Sequence, residues 1–294
     1  MDLCKSFQCI TDADLSPVTK RTYLERLRYM IQNTKTELYE IITHPSKYIE
    51  WIKKHSPSLQ TQKSYISGIL AVFKHTPNLK DAERKHYYEW YQEFKKIHEK
   101  IDDHYKQNEP SQKQKEAYVP YQEIVAKRNT LGKGSKEKLL LSLYTYLPPL
   151  RSDFNKVYLY ENPQKTYEHE NYILLFDPPT LVLNEFKTTK KKEGYERVLP
   201  EELVEEIKAS LAKNPREWLF MDRDKKPYKS GSFTKWANRT LKSLFTKPLT
   251  ISLIRHSYIN QLDFNRLTVQ EKEDIAKDMA HTVTTQDRYR LIFN

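Results

Sequence analysis

Apolar residues recur at helical spacing through the first hundred residues of the chain. Ser16 and Pro17 supply an N-cap and an N1 proline, and an apolar stripe runs from Tyr23 to Met30. Further helices are predicted over 46–54, from Ser58 onward, and from Asp81 through Ile97 or beyond. Four or five short helices with polar connections predict a small bundle over residues 1–105.

A polar, charged stretch follows, DDHYKQNEPSQKQKEA, which is nearly free of apolar residues. Such a composition is typical of a linker, and we assign the linker to residues 106–118. Beyond it, helices are predicted over 121–129 and 135–147, the second with the apolar run LLLSLYTYL.

The period of the pattern then shortens from 3.6 residues toward 2. Three strands are predicted, at 172–177, 180–187 and 195–199, and a basic turn joins the last two. Helical spacing returns over 200–212, 232–244, 251–262 and 271–279. The predicted fold class is therefore mainly α with a small antiparallel β-sheet (α+β), and the second domain covers residues 119–294.

Composition narrows the class of protein. The 294 residues are 38% hydrophobic, enough for two folded domains, and no apolar run approaches 18 residues. No secretory signal opens the chain, so we expect an intracellular protein with no membrane segment. Cys4 and Cys9 have no partners at zinc spacing, which predicts reduced thiols and no metal site. Fifty Lys and Arg against 39 Asp and Glu give a net charge of +11, which favours a nucleic-acid partner.

Four separated segments carry candidate chemistry in a fixed order. They are YLPPLRSDF with Arg151, LNEFKTTKKKEGYERVLP with Lys187, ISLIRHSYI with Arg255, and IAKDMAHTVTTQDRYRL with His281 and Tyr289. This ordered set resembles the tyrosine recombinase, or lambda-type integrase, family. The segments LPPLR and LIRHSYI resemble those of the family branch found in large eukaryotic DNA viruses and mobile elements.

The resemblance implies a catalytic domain that cuts and rejoins DNA. Tyr289 would be the nucleophile, because a phosphate ester of tyrosine stores the broken bond without metal or cofactor. Arg151 and Arg255 would bind the phosphate oxygens bidentately, and His281 would hydrogen-bond the phosphate. Lys187 would protonate the leaving 5′-oxygen. Arg255 lies in an otherwise apolar helix, where an unpartnered charge is costly, and this argues for a site.

The resemblance also implies partners. Double-stranded DNA would be held between the N-terminal bundle, as a DNA clamp or core-binding domain, and the catalytic domain. The protein would bind a site as a homodimer and form a tetramer in synapsis. Only RLIFN follows Tyr289, too short for the C-terminal helix by which many relatives dock, so another surface mediates assembly or the natural protein continues. The candidate phosphate-contacting residues are Lys20, Arg21, Lys63, Lys190, Lys191 and Lys192.

One position departs from the family pattern. Relatives usually carry histidine or lysine three residues before the second arginine, where this chain has Ser252, a poor proton acceptor. The base that accepts the proton of Tyr289 would then be water, His256 or His281. Three alternatives stay open: a type IB DNA topoisomerase, a catalytically inactive DNA-binding relative, and a basic helical protein of unrelated function. Nucleus, cytoplasm and viral factory are equally compatible with the sequence.

Overall fold

A computed structural model describes residues 7–186 and 194–293. The chain divides into two compact units, Met1–Gln107 and Asn108–Asn294. Each has its own buried apolar core. The α+β class is confirmed.

The described part of the first unit is helical. Its elements are α1 (Gln8–Thr11), α2 (Pro17–Thr34), α3 (Leu38–Thr43), α4 (Pro45–His55), α5 (Leu59–His75), α6 (Leu79–Ala82) and α7 (Arg84–Gln107). Helix α5 is the most buried, and it packs against both α2 and α7. Tyr65, Ile66, Ile69 and Phe73 on α5 are almost completely buried. The indole of Trp90 donates to the carbonyl of Ile42 at 3.0 Å and joins α7 to α3.

Two predicted helix starts of this unit are confirmed, and one of them has a side-chain cap. Helix α2 begins at Pro17, and the hydroxyl of Ser16 accepts from the backbone N–H of Thr19 at 3.2 Å. Helix α5 follows Ser58. The helix predicted over 81–97 is two helices, because the chain leaves helical geometry at Glu83. Helix α7 also continues to Gln107, since Ile97 and Ile101 extend its buried stripe into the charged stretch.

The second unit combines helices with one sheet. Its helices are α8 (Gln112–Ala117), α9 (Tyr121–Thr130), α10 (Lys136–Leu143), α11 (Glu201–Lys213), α12 (Ser230–Phe245), α13 (Ile251–Asn260), α14 (Val269–Asp278) and α15 (Val283–Asp287). Its strands are β1 (Tyr158–Tyr160), β2 (Asn171–Leu174), β3 (Thr180–Leu183) and β4 (Tyr195–Val198). A short 3₁₀ turn spans Asp153–Lys156.

The sheet has the order β1-β2-β3-β4 and is mixed. Strands β2, β3 and β4 pair antiparallel as predicted, whereas β1 pairs parallel to β2, with Tyr158 opposite Tyr172. The prediction of a purely antiparallel sheet is wrong here, because three residues are too few to show a period of 2. Leu159, Ile173 and Leu181 share the face that packs on the core.

The segment predicted as a linker, 106–118, is not structureless. It contains α8, whose capping box pairs the side chains and main chains of Ser111 and Gln114. Ala117 is buried in the core of the second unit. Polar composition concealed a short helix here, although its capping signal is present in the sequence.

Gly134 occupies a turn that only glycine fits, between α9 and α10. Its φ is +75°, and a Cβ built there would lie 2.6 Å from the carbonyl oxygen of Ala209. Its N–H donates to the carboxylate of Glu206, a buried residue, at 2.7 Å. This turn therefore fixes α10 against α11.

We expect Gly134→Ala to lower the free energy of unfolding by about 1–3 kcal/mol, because the backbone conformation is strained for alanine and the new methyl collides with main chain. Urea unfolding measures the change. Gly132→Ala is the matched control, since a Cβ there meets nothing within 4 Å. Equal stability of the two variants would contradict the assignment.

Candidate active site

Three of the five predicted catalytic side chains, Arg255, His281 and Tyr289, come together in the second unit. Arg255 lies in the middle of α13 and is only 1% exposed. Its guanidinium is 4.6 Å from the ring centre of Tyr289, and its Nη2 is 2.8 Å from Nδ1 of His281. The three groups are thus in direct contact within one chain.

The Arg255 guanidinium also donates to main-chain carbonyls. Nη1 donates to the carbonyl of Pro149, and Nη2 donates to that of Met279 at 3.3 Å. Its Nε is buried and has no hydrogen-bond partner in the described part of the chain. One side chain therefore joins α13 to the segment after α10 and to the end of α14, with one donor uncommitted.

Arg151, the fourth predicted residue, lies in a bend two residues beyond Pro149, and its side chain is partly exposed. Its carbonyl accepts from the hydroxyl of the buried Tyr144 at 2.7 Å, which holds the bend in place. Because Arg255 donates a hydrogen bond to the carbonyl of Pro149, α13 contacts the segment that leads into this bend. The charge of Arg151 is close enough to influence Arg255, as the pKa of Arg255 shows.

Several neighbouring groups act on the Arg255 guanidinium. Burial lowers its pKa, the Tyr289 phenol acts in the opposite direction, the positive charge of Arg151 lowers it further, and the Asp153 carboxylate raises it by a smaller amount. In the described ranges, neither arginine is in an ion pair with a carboxylate. Because Asp153 is near but forms no ion pair with either arginine in these ranges, the two guanidiniums can still bind an oxyanion such as phosphate.

His281 is positioned by the turn that ends α14. Ala280 adopts a left-handed conformation with φ of 51°, and the N–H of His281 donates back to the carbonyl of Ala276 at 2.9 Å. Together with the bond from Ala280 to Lys277, this is a Schellman motif with alanine in place of the usual glycine. The turn directs the buried imidazole back onto Arg255.

The hydrogen bond between Arg255 and His281 determines the tautomer of His281. A guanidinium can only donate, so Nδ1 of His281 accepts. In the neutral ring the hydrogen is then on Nε2, which is a donor.

Tyr289 follows α15, a short helix that is not among the helices predicted from the sequence. Its N–H donates to the carbonyl of Gln286 at 2.9 Å, and its ring is partly buried between two histidines. The ring stacks on His281 with centroids 5.5 Å apart, and His256 meets it edge-on at 4.9 Å. Nδ1 of His256 also donates to the main-chain carbonyl of Tyr289 at 2.7 Å.

Strand β4 braces the end of α14. The hydroxyl of Tyr195 donates to the carbonyl of Asp278 at 3.1 Å, and Arg197 forms an ion pair with the Asp278 carboxylate at 2.6 Å. Burial raises the pKa of Tyr195 to about 12, so the phenol stays protonated and keeps donating. The sheet thus supports the turn that presents His281.

The structure does not describe four of the predicted lysines, and it places Ser252 at the surface. Lys187, Lys190, Lys191 and Lys192 lie outside the described residues. Ser252 is exposed in the first turn of α13.

The first-unit candidates lie on α2 and α5. Arg21 is exposed, Lys20 donates to the carbonyl of Thr11 at 2.6 Å, and the ammonium of Lys63 is 5.2 Å from the ring centre of Phe94. They stay predictions.

Sequence reasoning missed Asn260, one turn after His256 on α13. Its side chain makes two hydrogen bonds with the main chain of Leu291, at 2.8 and 2.9 Å. No spacing rule connects these positions, because the contact is created by the return of the chain to α13. Among the described residues, no cluster of metal-ligating side chains and no helix suited to crossing a membrane is found.

No protein-family model matches the sequence, and no curated protein matches it significantly. Among solved structures, a chain described as XerA recombinase is similar, with 13% sequence identity and a TM-score of 0.45. The match covers 98% of this chain and 91% of that chain. At this identity and TM-score the likeness decides nothing about the reaction, which has to be inferred from the site itself.

We expect Arg255→Lys to lower the free energy of unfolding by about 2–3 kcal/mol, because one ammonium cannot replace a planar donor set that reaches Pro149, Met279 and His281. Denaturant unfolding measures the loss. Arg239→Lys, at an exposed position of α12, is the matched control and should be neutral. A neutral Arg255→Lys would show that these hydrogen bonds do not hold the site together.

Proposed function

We propose that this protein is a tyrosine-type DNA strand transferase, and specifically a site-specific recombinase or integrase acting on double-stranded DNA. The observation that carries the proposal is the buried Arg255 guanidinium, which contacts the Tyr289 ring and His281 and lacks a carboxylate partner among the described residues. A scissile phosphate would supply the missing negative charge and bring phosphorus to the phenol. The order of the motifs in the sequence supports the same chemistry.

In the proposed reaction the Tyr289 oxygen attacks phosphorus and the bond from phosphorus to the 5′-oxygen breaks. The product is a 3′-phosphotyrosine, and the departing 5′-oxygen takes a proton. The reverse reaction, with the 5′-hydroxyl of a partner strand as nucleophile, rejoins the DNA. Because the ester conserves the bond, neither a nucleotide nor a metal is needed for the balance of the reaction.

Each side chain has a role that matches its chemistry. Arg151 and Arg255 stabilise the charge that grows on the non-bridging oxygens, and His281 adds its Nε2 hydrogen. Lys187 is proposed as the acid that protonates the 5′-oxygen. A pair of arginines suits this task, because guanidinium geometry matches two phosphate oxygens at once.

The proton of Tyr289 needs an acceptor, and the hydrogen bonds narrow the choice. Neutral His281 is a poor candidate, since its Nδ1 lone pair faces Arg255 and its Nε2 carries hydrogen. The Ser252 hydroxyl is also a weak base at neutral pH. Water and Nε2 of His256 are the candidates that these contacts leave open.

The first unit is proposed as the DNA-binding domain. Lys20, Arg21 and Lys63 there, with Lys190, Lys191 and Lys192, would contact backbone phosphates. We propose a homodimer on each site and a tetramer during strand exchange, since each of two duplexes must be cut on one strand.

Ser252 is the observation that favours a second function, a type IB topoisomerase. Such an enzyme uses the same attack without pairing two DNA sites. Efficient relaxation of supercoiled plasmid with no preference for any target sequence would support this alternative, whereas strand exchange confined to one sequence would support the recombinase.

We expect Tyr289→Phe to abolish the covalent protein–DNA adduct on a nicked suicide duplex while leaving DNA affinity nearly unchanged, because the hydroxyl is a reactant and adds little to binding. A denaturing gel detects the adduct and gel shift measures affinity. Tyr258→Phe, at a partly buried tyrosine of α13, is the control and should still form the adduct. An adduct with Tyr289→Phe would remove this residue as nucleophile.

We expect cleavage to use the arginines and the tyrosine of one chain, since Arg255 contacts the Tyr289 ring of its own chain. Arg151→Ala alone should slow cleavage by at least ~100-fold through loss of a charge-stabilising donor set. A mixture of Arg151→Ala with Tyr289→Phe protein should then form no more adduct than Arg151→Ala alone. Restored adduct would show that the tyrosine is donated between subunits.

A further inference from the structure

The chain beyond Tyr289 is fastened to α13 by side chains from one face of that helix. Nδ1 of His256 donates to the carbonyl of Tyr289, and the Asn260 amide both donates to and accepts from the main chain of Leu291. His256 and Asn260 are four residues apart, so they lie above one another on the helix. We call these three hydrogen bonds the tyrosine clasp.

Local structure alone does not position Tyr289. Helix α15 is only five residues long and ends at Asp287, and the ring of Tyr289 is partly exposed. A helix this short is not stable by itself in water. The place of the phenol therefore depends on contacts made by the residues that follow α15, and the clasp supplies hydrogen bonds at two of them.

The clasp also links the nucleophile to the phosphate-binding group. Arg255 and His256 are consecutive residues of α13. Arg255 hydrogen-bonds the end of α14 and His281, and His256 hydrogen-bonds the main chain of Tyr289. Any shift of α13 would move both together. In-line attack needs the reacting atoms about 3–3.5 Å apart, and a displacement near 1 Å costs on the order of 100-fold in rate.

We propose that His256 and Asn260 are positioning residues, which hold the main chain at Tyr289 and Leu291 so that the phenol faces a phosphate bound by Arg255. The inference rests on the proposed function. In this proposal His256 hydrogen-bonds the main chain of Tyr289 and does not accept the proton of the Tyr289 phenol. Water is then the proton acceptor.

The chemistry of His256 distinguishes the two roles. A main-chain carbonyl only accepts, so Nδ1 carries hydrogen and donates to it. Burial lowers the pKa of this imidazole, and Arg255 lowers it further, so the ring is neutral near pH 7. Asparagine can present an N–H where Nδ1 is but has no basic nitrogen, whereas phenylalanine keeps the ring contact and has no donor.

The experiment measures single-turnover cleavage of a nicked suicide duplex, with protein in excess, across a range of pH. His256→Phe should slow cleavage by about 100-fold, while His256→Asn keeps most of the rate and the pH profile of the unaltered protein. DNA affinity should stay the same in both. Asn260→Leu should also slow cleavage, and Asn260→Asp, which keeps the acceptor for the Leu291 N–H, should be less affected.

Two controls separate positioning from general stability. Ser257 lies between the clasp residues, but its hydroxyl donates to the carbonyls of Val119 and Leu253, so Ser257→Ala perturbs α13 and removes none of the three clasp hydrogen bonds. It should lower thermal stability and leave cleavage by the folded protein unchanged. In the double variant His256→Phe, Asn260→Leu the losses should be less than additive, because both act through one segment.

Several outcomes would overturn the inference. Cleavage by His256→Phe and Asn260→Leu at the unaltered rate would be one. Another is His256→Asn as slow as His256→Phe with the basic limb of the pH profile lost, which would make His256 the proton acceptor. Equal slowing by Ser257→Ala would reduce the clasp to a stability effect. If the unaltered protein forms no adduct at all, the proposed function fails instead, and that result is distinct from each of these.

Discussion

A positive charge buried in the middle of an apolar helix is the constraint on which the second unit is organised. The Arg255 guanidinium is almost completely removed from water, and burial of an unsolvated charge costs several kcal/mol unless hydrogen bonds replace the lost water. The replacement comes from the carbonyls of Pro149 and Met279 and from His281. Three separate segments of the chain therefore have to converge on one side chain.

This arrangement satisfies the Nη donors of the guanidinium, leaves its Nε without a partner in the described ranges, and pairs its charge with no carboxylate there. The nearby Arg151 adds a second positive charge, and Asp153 opposes it only weakly. Such a pair of arginines is stabilised by an anion, which is why a phosphate is the ligand that the geometry suits best. In the proposed reaction, a bound phosphate would therefore offset part of the free-energy cost of burying the Arg255 charge.

Strand β4, the turn at Ala280 and helix α13 each position one group that contacts the Arg255 guanidinium. Strand β4 fixes the end of α14 through Tyr195 and Arg197, and the left-handed Ala280 turns His281 toward Arg255. Alanine in that conformation is strained by about 1 kcal/mol or more, so the turn depends on its surroundings. Helix α13 holds Arg255 on one side and the main chain of Tyr289 on the other. The proposed nucleophile and anion site are thereby coupled through a single helix.

What the sequence by itself determined are features encoded within a few residues. Ser16 and Pro17 specified the start of α2, alternation specified β2 to β4, and a lone arginine among apolar residues marked Arg255 as a candidate for a site. Tertiary structure decided the parallel pairing of β1, the acceptor role of His281 and the contacts of Asn260 with Leu291. Each of these joins positions far apart in the chain or depends on the direction of a hydrogen bond. Local periodicity carries no information about such contacts, because they form only when packing brings distant backbone and side chains within about 3 Å.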